Sequence, residues 1–144
     1  MPVRAVRGAT TVERDERDHV LERTRELLTR INQANGLASD DYVSVIFTAT
    51  QDVSSVAPAV AARQIGFEDV ALICLQEMQV QGGMSRVVRV LAHVETEKPR
   101  GSIANVYLYG TDALRDGVPP VPGNGPSSGV GTGTRDETGE IGPR

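Results

Sequence analysis

Apolar and charged residues alternate in the first stretch of the chain, Pro2-Val3-Arg4-Ala5-Val6-Arg7. Val3, Ala5 and Arg7 share one face and Arg4 and Val6 the other, which predicts a strand ending at Arg7. The period then changes. Val20, Leu21, Thr24, Leu27, Leu28 and Ile31 recur at helical spacing, with Glu22, Arg23, Arg25, Glu26 and Arg30 around them. Thr10 and Glu13 have capping-box spacing, Asp15 and Asp18 are equally good N-cap candidates, and Gly36 supplies the stop. Tyr42 to Thr50 is rich in β-branched and aromatic residues and reads as a second strand. After the loop Gln51-Asp52-Val53-Ser54-Ser55, Pro58 suits the first position of a short helix running to Ile65 and closed by Gly66. Val70 to Leu75 is continuously apolar, as in a strand buried on both faces. Gly82-Gly83 marks a turn, Val87 to Glu95 another strand, and Asn105 to Tyr109 a last short one.

This β-α-β-α-β-β-β order predicts an α/β (α+β) domain with a mixed sheet of about five strands and helices on one face. Two helices are too few to cover both faces, so a partner subunit is expected on the other. The ordered domain is expected over 1–115. From Asp116 the composition shifts to Pro, Gly, Ser and Thr with few large apolar residues, so 116–144 reads as a disordered tail.

Composition narrows the function. A length of 144 residues suits one domain, and a net charge of −4 argues against nucleic-acid binding. Cys74 is the single cysteine, so no intrachain disulfide forms. His19 and His93 have no metal-ligand spacing with it. With no hydrophobic leader core and no membrane-length apolar run, the chain reads as cytoplasmic and not membrane-bound. Phosphate-cradling and nucleophile-elbow motifs are absent. Lys98 is the only lysine, so placement rather than abundance makes an arginine informative.

Two placements stand out. Arg7 precedes the run Gly8-Ala9-Thr10-Thr11-Val12-Glu13-Arg14-Asp15, which offers a guanidinium fork beside small residues, suited to an anion. Arg89 lies within Val87-Val88-Arg89-Val90, and an arginine inside a β-rich run needs an anionic partner or a route to solvent. Read alone, the other polar candidates have plain structural roles: Cys74 as a small core residue, Glu77 as a solvated strand end, Tyr107 as a rim aromatic.

Together the segments carry more. Arg7 to Asp15, then Cys74-Leu75-Gln76-Glu77-Met78 with Gly82-Gly83 and Arg89, then Val106-Tyr107-Leu108 with Leu114-Arg115, resemble in order and spacing the AroH-class chorismate mutases. Asn35-Gly36-Leu37 and Ala61-Ala62-Arg63 fit the same pattern, and the resemblance spans roughly residues 3–115. It implies a homotrimer forming a pseudo-α/β-barrel, active sites between subunits, and rearrangement of chorismate to prephenate with no cofactor and no metal. That step is unimolecular and pericyclic, which accords with the missing nucleophile and nucleotide motifs. The resemblance implies catalytic roles for Arg89, Glu77 and Arg7. Arg89 would meet the ether oxygen and a carboxylate, Arg7 and Tyr107 the side-chain carboxylate, and Glu77 the ring hydroxyl with Cys74 nearby. Leu114 would complete the substrate contacts, with Arg63 and Arg115 at the mouth. The chain departs from the family at Ala57, where a bulky aromatic is usual, and at Val60, where a charge is usual. The alternative is a non-catalytic or regulatory protein binding small carboxylates on the same scaffold.

Overall fold

The computed structural model describes residues 1–115, so the tail read at 116–144 lies outside the described residues. The chain forms β1 (Val3–Thr11), α1 (Arg17–Asn35), β2 (Tyr42–Ala49), α2 (Ala59–Gln64), β3 (Ala71–Gln76), β4 (Val87–Glu95) and β5 (Val106–Tyr107). The five strands make one mixed sheet in the order β3-β2-β4-β1-β5. β4 is central and antiparallel to both β1 and β2, while β3 and β5 add in parallel at the edges.

Strand alternation decides which face is covered. Val6, Val45, Phe47, Val90, Ala92 and Val94 pack with Leu27, Leu28 and Ile31 of α1 and Ala59 and Ala62 of α2 in one buried cluster. Both helices therefore lie on the same side of the sheet, as the element order predicts. Tyr42 adds its ring to Phe67 at 4.6 Å. Its buried hydroxyl donates to Asn32 Oδ1 at 2.6 Å, and burial pushes its pKa up.

Several expectations need correction. First, β1 does not end at Arg7 but runs on to Thr11, pairing Thr11 with Val87. Glycine ordinarily weakens a strand, but Gly8 serves a close approach. A Cβ there would lie 2.9 Å from Ile31 Cδ1 and 3.1 Å from the Val106 carbonyl oxygen, so α1 and β5 meet at bare backbone. Second, none of the expected side-chain caps opens α1. Thr10 is buried within β1, and the N-cap residue is Glu16, whose side chain makes no cap hydrogen bond. Asp15 instead accepts the Ser54 and Ser55 amides, each at 3.0 Å, and these donors lower its pKa, the Ser54 amide most. Asp18 falls inside the first turn, where its charge suits the helix dipole. Gly36 does end the helix, at φ 65°. Pro58 stands just before α2 rather than in its first position.

Third, β3 is an edge strand rather than one buried on both faces. Leu72 and Cys74 pack toward the helix-side core, while Ile73 and Leu75 remain 51% and 49% exposed on the open face. A continuous apolar run reports burial on both sides, and one chain supplies cover on only one.

Gly8→Ala should lower stability by about 1–3 kcal/mol, the usual cost of an extra methyl in a packed site. Urea denaturation of the two proteins would measure it; an unchanged midpoint would mean that α1 can shift away from β1.

Candidate active site

On β4, Val88 and Val90 point into buried clusters on the helix side, so Arg89 projects from the open face. Its Nη1 donates to Glu77 Oε2 at 3.0 Å, and the two side chains are 29% and 22% exposed. The arginine within the β-rich run thus has the anionic partner its surroundings demand. Glu77 directly follows β3, and its own amide donates to the Ala49 carbonyl at 2.8 Å. Its other carboxylate oxygen, Oε1, accepts from Thr48 Oγ1 at 2.5 Å.

Arg7 rises from β1 on the same face. Its amide donates to Asn105 Oδ1 at 2.8 Å, and its Nη2 donates to the Arg115 carbonyl at 2.8 Å. The Arg115 guanidinium lies 5.2 Å above the Tyr107 ring, a cation–π arrangement. The Tyr107 hydroxyl is buried and has no hydrogen-bond partner among the described residues. A buried donor left open in this way is costly, so it suits a site that a ligand acceptor completes.

The segment carrying Leu114 and Arg115 is held from α1. Tyr109 adopts φ 52°, rare for a bulky residue, and its carbonyl accepts from Thr11 Oγ1 at 3.1 Å. The Arg23 guanidinium stacks 3.6 Å above the Tyr109 ring and donates to the Thr11 carbonyl at 2.6 Å. The Tyr109 hydroxyl donates to both oxygens of Glu26, and that bond raises its pKa. Thr111 then closes the turn with a bond to the Ala9 carbonyl at 3.2 Å.

Two cavities share the Glu77–Arg89 wall. One of about 260 Å³ is lined by Arg7, Thr48, Tyr107 and Leu91 beside the pair. The other, about 680 Å³, extends under the loop from Met78 to Ser85 and reaches Leu114. The volumes suit a small organic ligand. Around the smaller cavity Arg7 and Arg89, with Arg115 beside Tyr107, set cations against the Glu77 carboxylate, an excess that suits an anionic ligand, while Asp52 adds a second carboxylate to the larger cavity. Among the described residues, no three His, Cys, Asp or Glu side chains group as metal ligands. No helix among them is long and apolar enough to cross a membrane.

The fold therefore gathers Arg7, Glu77, Arg89, Tyr107, Leu114 and Arg115 within one chain. It does not bring Cys74 or Arg63 to them. Cys74 packs against the helix-side core, on the face of β3 opposite the site, because it pairs with the core residue Phe47 and shares its face. Arg63 stands exposed in the last turn of α2, also on the helix side. Ala57 and Val60 flank the start of that helix and line neither cavity. Thr48 and Asn105 are site residues that the sequence reading missed. For Thr48 a signal was present: Ser44, Ile46 and Thr48 alternate with the core residues Val45 and Phe47, which assigns Thr48 to the open face.

Residues 3–118 match the family model described as chorismate mutase type I. Chorismate mutase AroH of Bacillus subtilis (strain 168) is 40% identical over 116 residues, covering 80% of this chain and 91% of that protein. Chorismate mutase AroH of Thermus thermophilus is 45% identical over 114 residues, covering 78% and 93%. A solved structure titled chorismate mutase from Clostridium thermocellum Cth-682 superposes with a TM-score of 0.75 at 42% identity, covering 76% of this chain and 98% of that one. By its matched length, its identity to these relatives and its shared fold, the chain belongs to the type I chorismate mutase family.

Proposed function

We propose that the chain converts chorismate to prephenate, in the biosynthesis of phenylalanine and tyrosine, by electrostatic preorganisation. The observation that carries this reading is the Arg89–Glu77 pair on the shared cavity wall, a strand-held guanidinium beside a fixed carboxylate. A generic anion site gains nothing from an added carboxylate, whereas a dianion that also bears a hydroxyl uses both.

In this rearrangement one C–O bond breaks as one C–C bond forms, and no proton or leaving group is exchanged. Acceleration must therefore come from holding the folded conformer and from stabilising charge on the ether oxygen. Arg89 donates to that oxygen and to a carboxylate, and its strand backbone keeps the fork from reorganising during the step. Arg7 and the Tyr107 hydroxyl, which has no partner among the described residues, bind the side-chain carboxylate. Glu77 accepts from the ring hydroxyl, Leu114 supplies apolar contact, and Arg115 draws in the dianion. Residues 1–115 form the catalytic domain.

A homotrimer with sites between subunits completes this picture. The open sheet face carries Ile73 and Leu75 half exposed, apolar surface that a second copy would cover. In such an assembly Cys74 and Arg63 reach the site from the neighbouring subunit. The single cysteine fits a cytoplasmic enzyme with no structural disulfide.

Purified protein incubated with chorismate should form prephenate; none at micromolar enzyme would end this reading. Arg89→Lys keeps the charge and loses the fork, so kcat should fall about 10²–10³-fold, as on removal of an oxyanion donor, with the circular dichroism unchanged. Near-normal turnover would show that another group meets the ether oxygen. Since no proton moves in the chemical step, kcat should lack a bell-shaped dependence on pH across the neutral range, and a clear bell would count against the mechanism. Light scattering should give three times the 15.4 kDa chain mass, and a monomer would remove the shared site.

A further inference from the structure

We propose that Thr48 is a positioning residue for this reaction, holding the Glu77 carboxylate so that only one of its oxygens engages Arg89. The inference rests on the reaction proposed above. Guanidinium and carboxylate left to themselves favour a bidentate pair, with two parallel N–H···O bonds. Here the pair is single. Among the described residues, Arg89 meets Glu77 through Nη1 and Oε2 alone, at 3.0 Å. The second oxygen is occupied by Thr48 Oγ1 at 2.5 Å.

The sheet dictates this arrangement. Thr48 on β2 lies directly opposite Arg89 on β4, and opposite Leu75 on β3. Its hydroxyl and the guanidinium therefore rise side by side from neighbouring strands. The Glu77 backbone is tied to Ala49, the residue after Thr48, which brings the carboxylate back over both. All three side chains line the smaller cavity with Arg7 and Tyr107.

The consequence falls on Arg89. Without the hydroxyl, Oε1 is free to turn and take a second N–H of the guanidinium. A bidentate pair would occupy the donor that has to meet the ether oxygen, and would turn the Glu77 lone pairs away from the ring hydroxyl. Thr48 touches neither reacting atom. It acts through Glu77, and its loss should appear in the chemical step more than in binding.

Thr48→Val preserves shape and removes the hydroxyl. Its kcat should fall about 10- to 100-fold, the range for a hydrogen bond to a charged group, with KM changing much less. Thr48→Ser should restore most of that loss, and Thr48→Ala is the replacement if the valine protein does not fold. The decisive comparison places Thr48→Val in a Glu77→Ala background. With no carboxylate to hold, the added substitution should change kcat by less than about 2-fold, whereas independent effects would multiply. A valine variant as fast as the wild type overturns the inference, and so does an equal loss in both backgrounds, which would mean packing alone. Either result leaves the reaction standing, because the wild type still turns over. A wild type that does not convert chorismate overturns both.

Discussion

A guanidinium set into the middle of a β-sheet is the constraint around which this molecule is arranged. Arg89 sits on β4, hydrogen-bonded on both sides by β1 and β2, and so has little freedom to move its charge. A half-buried cation needs a carboxylate, and removing one partner of such a pair leaves an uncompensated charge. Glu77 meets that need from the end of β3, and the chain then leaves the sheet and returns to it within the loop to Arg86. The return is itself restrained. Arg86 holds φ 50°, and its amide donates to both oxygens of Asp52 at 3.0 and 3.1 Å. Strained backbone of this kind persists where its surroundings over-determine it. The loop thus begins at one member of the ion pair and ends three residues before the other.

The two faces of the sheet divide the work. The helix side holds the large apolar side chains and supplies cohesion, while the open side carries Arg7, Thr48 and Arg89 from three adjacent strands. Side chains on sheet positions keep fixed spacings, so this charge pattern is preorganised before any ligand enters. α1 contributes to both tasks. Its apolar stripe closes the core, and its Arg23 and Glu26 fix Tyr109, which sets the path of the segment bearing Leu114 and Arg115. The site's outer wall is therefore braced by a helix that lies on the opposite side of the sheet.

The elements themselves were legible because local periodicity is a local property. Leu27, Leu28 and Ile31 at helical spacing, and Val88, Val90, Ala92 and Val94 alternating with polar or partly exposed positions, identify their elements without knowledge of neighbours. The errors arose where a distant partner overrides local preference. The first strand read as ending at Arg7, yet it runs on through Gly8, where a Cβ would lie 2.9 Å from Ile31 of α1. Asp15 had the look of a helix cap and serves instead a loop some forty positions away, at Ser54 and Ser55. β3 carried the apolar run of a strand buried on both faces and stands at the sheet edge, half open on one.

The sequence by itself singled out the candidate residues of the site. Arg7 and Arg89 stood out as cations whose placement suits or needs an anion, and Glu77, Tyr107 and Arg115 because their spacing resembled a known family. Only the tertiary structure decided which of them meet. Strand pairing sets neighbours by register rather than by sequence distance, so Thr48 came to lie beside Arg89 and Glu77 while Cys74, three residues from Glu77, was turned to the other face. A side chain's face depends on the parity of its position, and its neighbours depend on strand order. Neither strand order nor register is written in any short stretch of the chain.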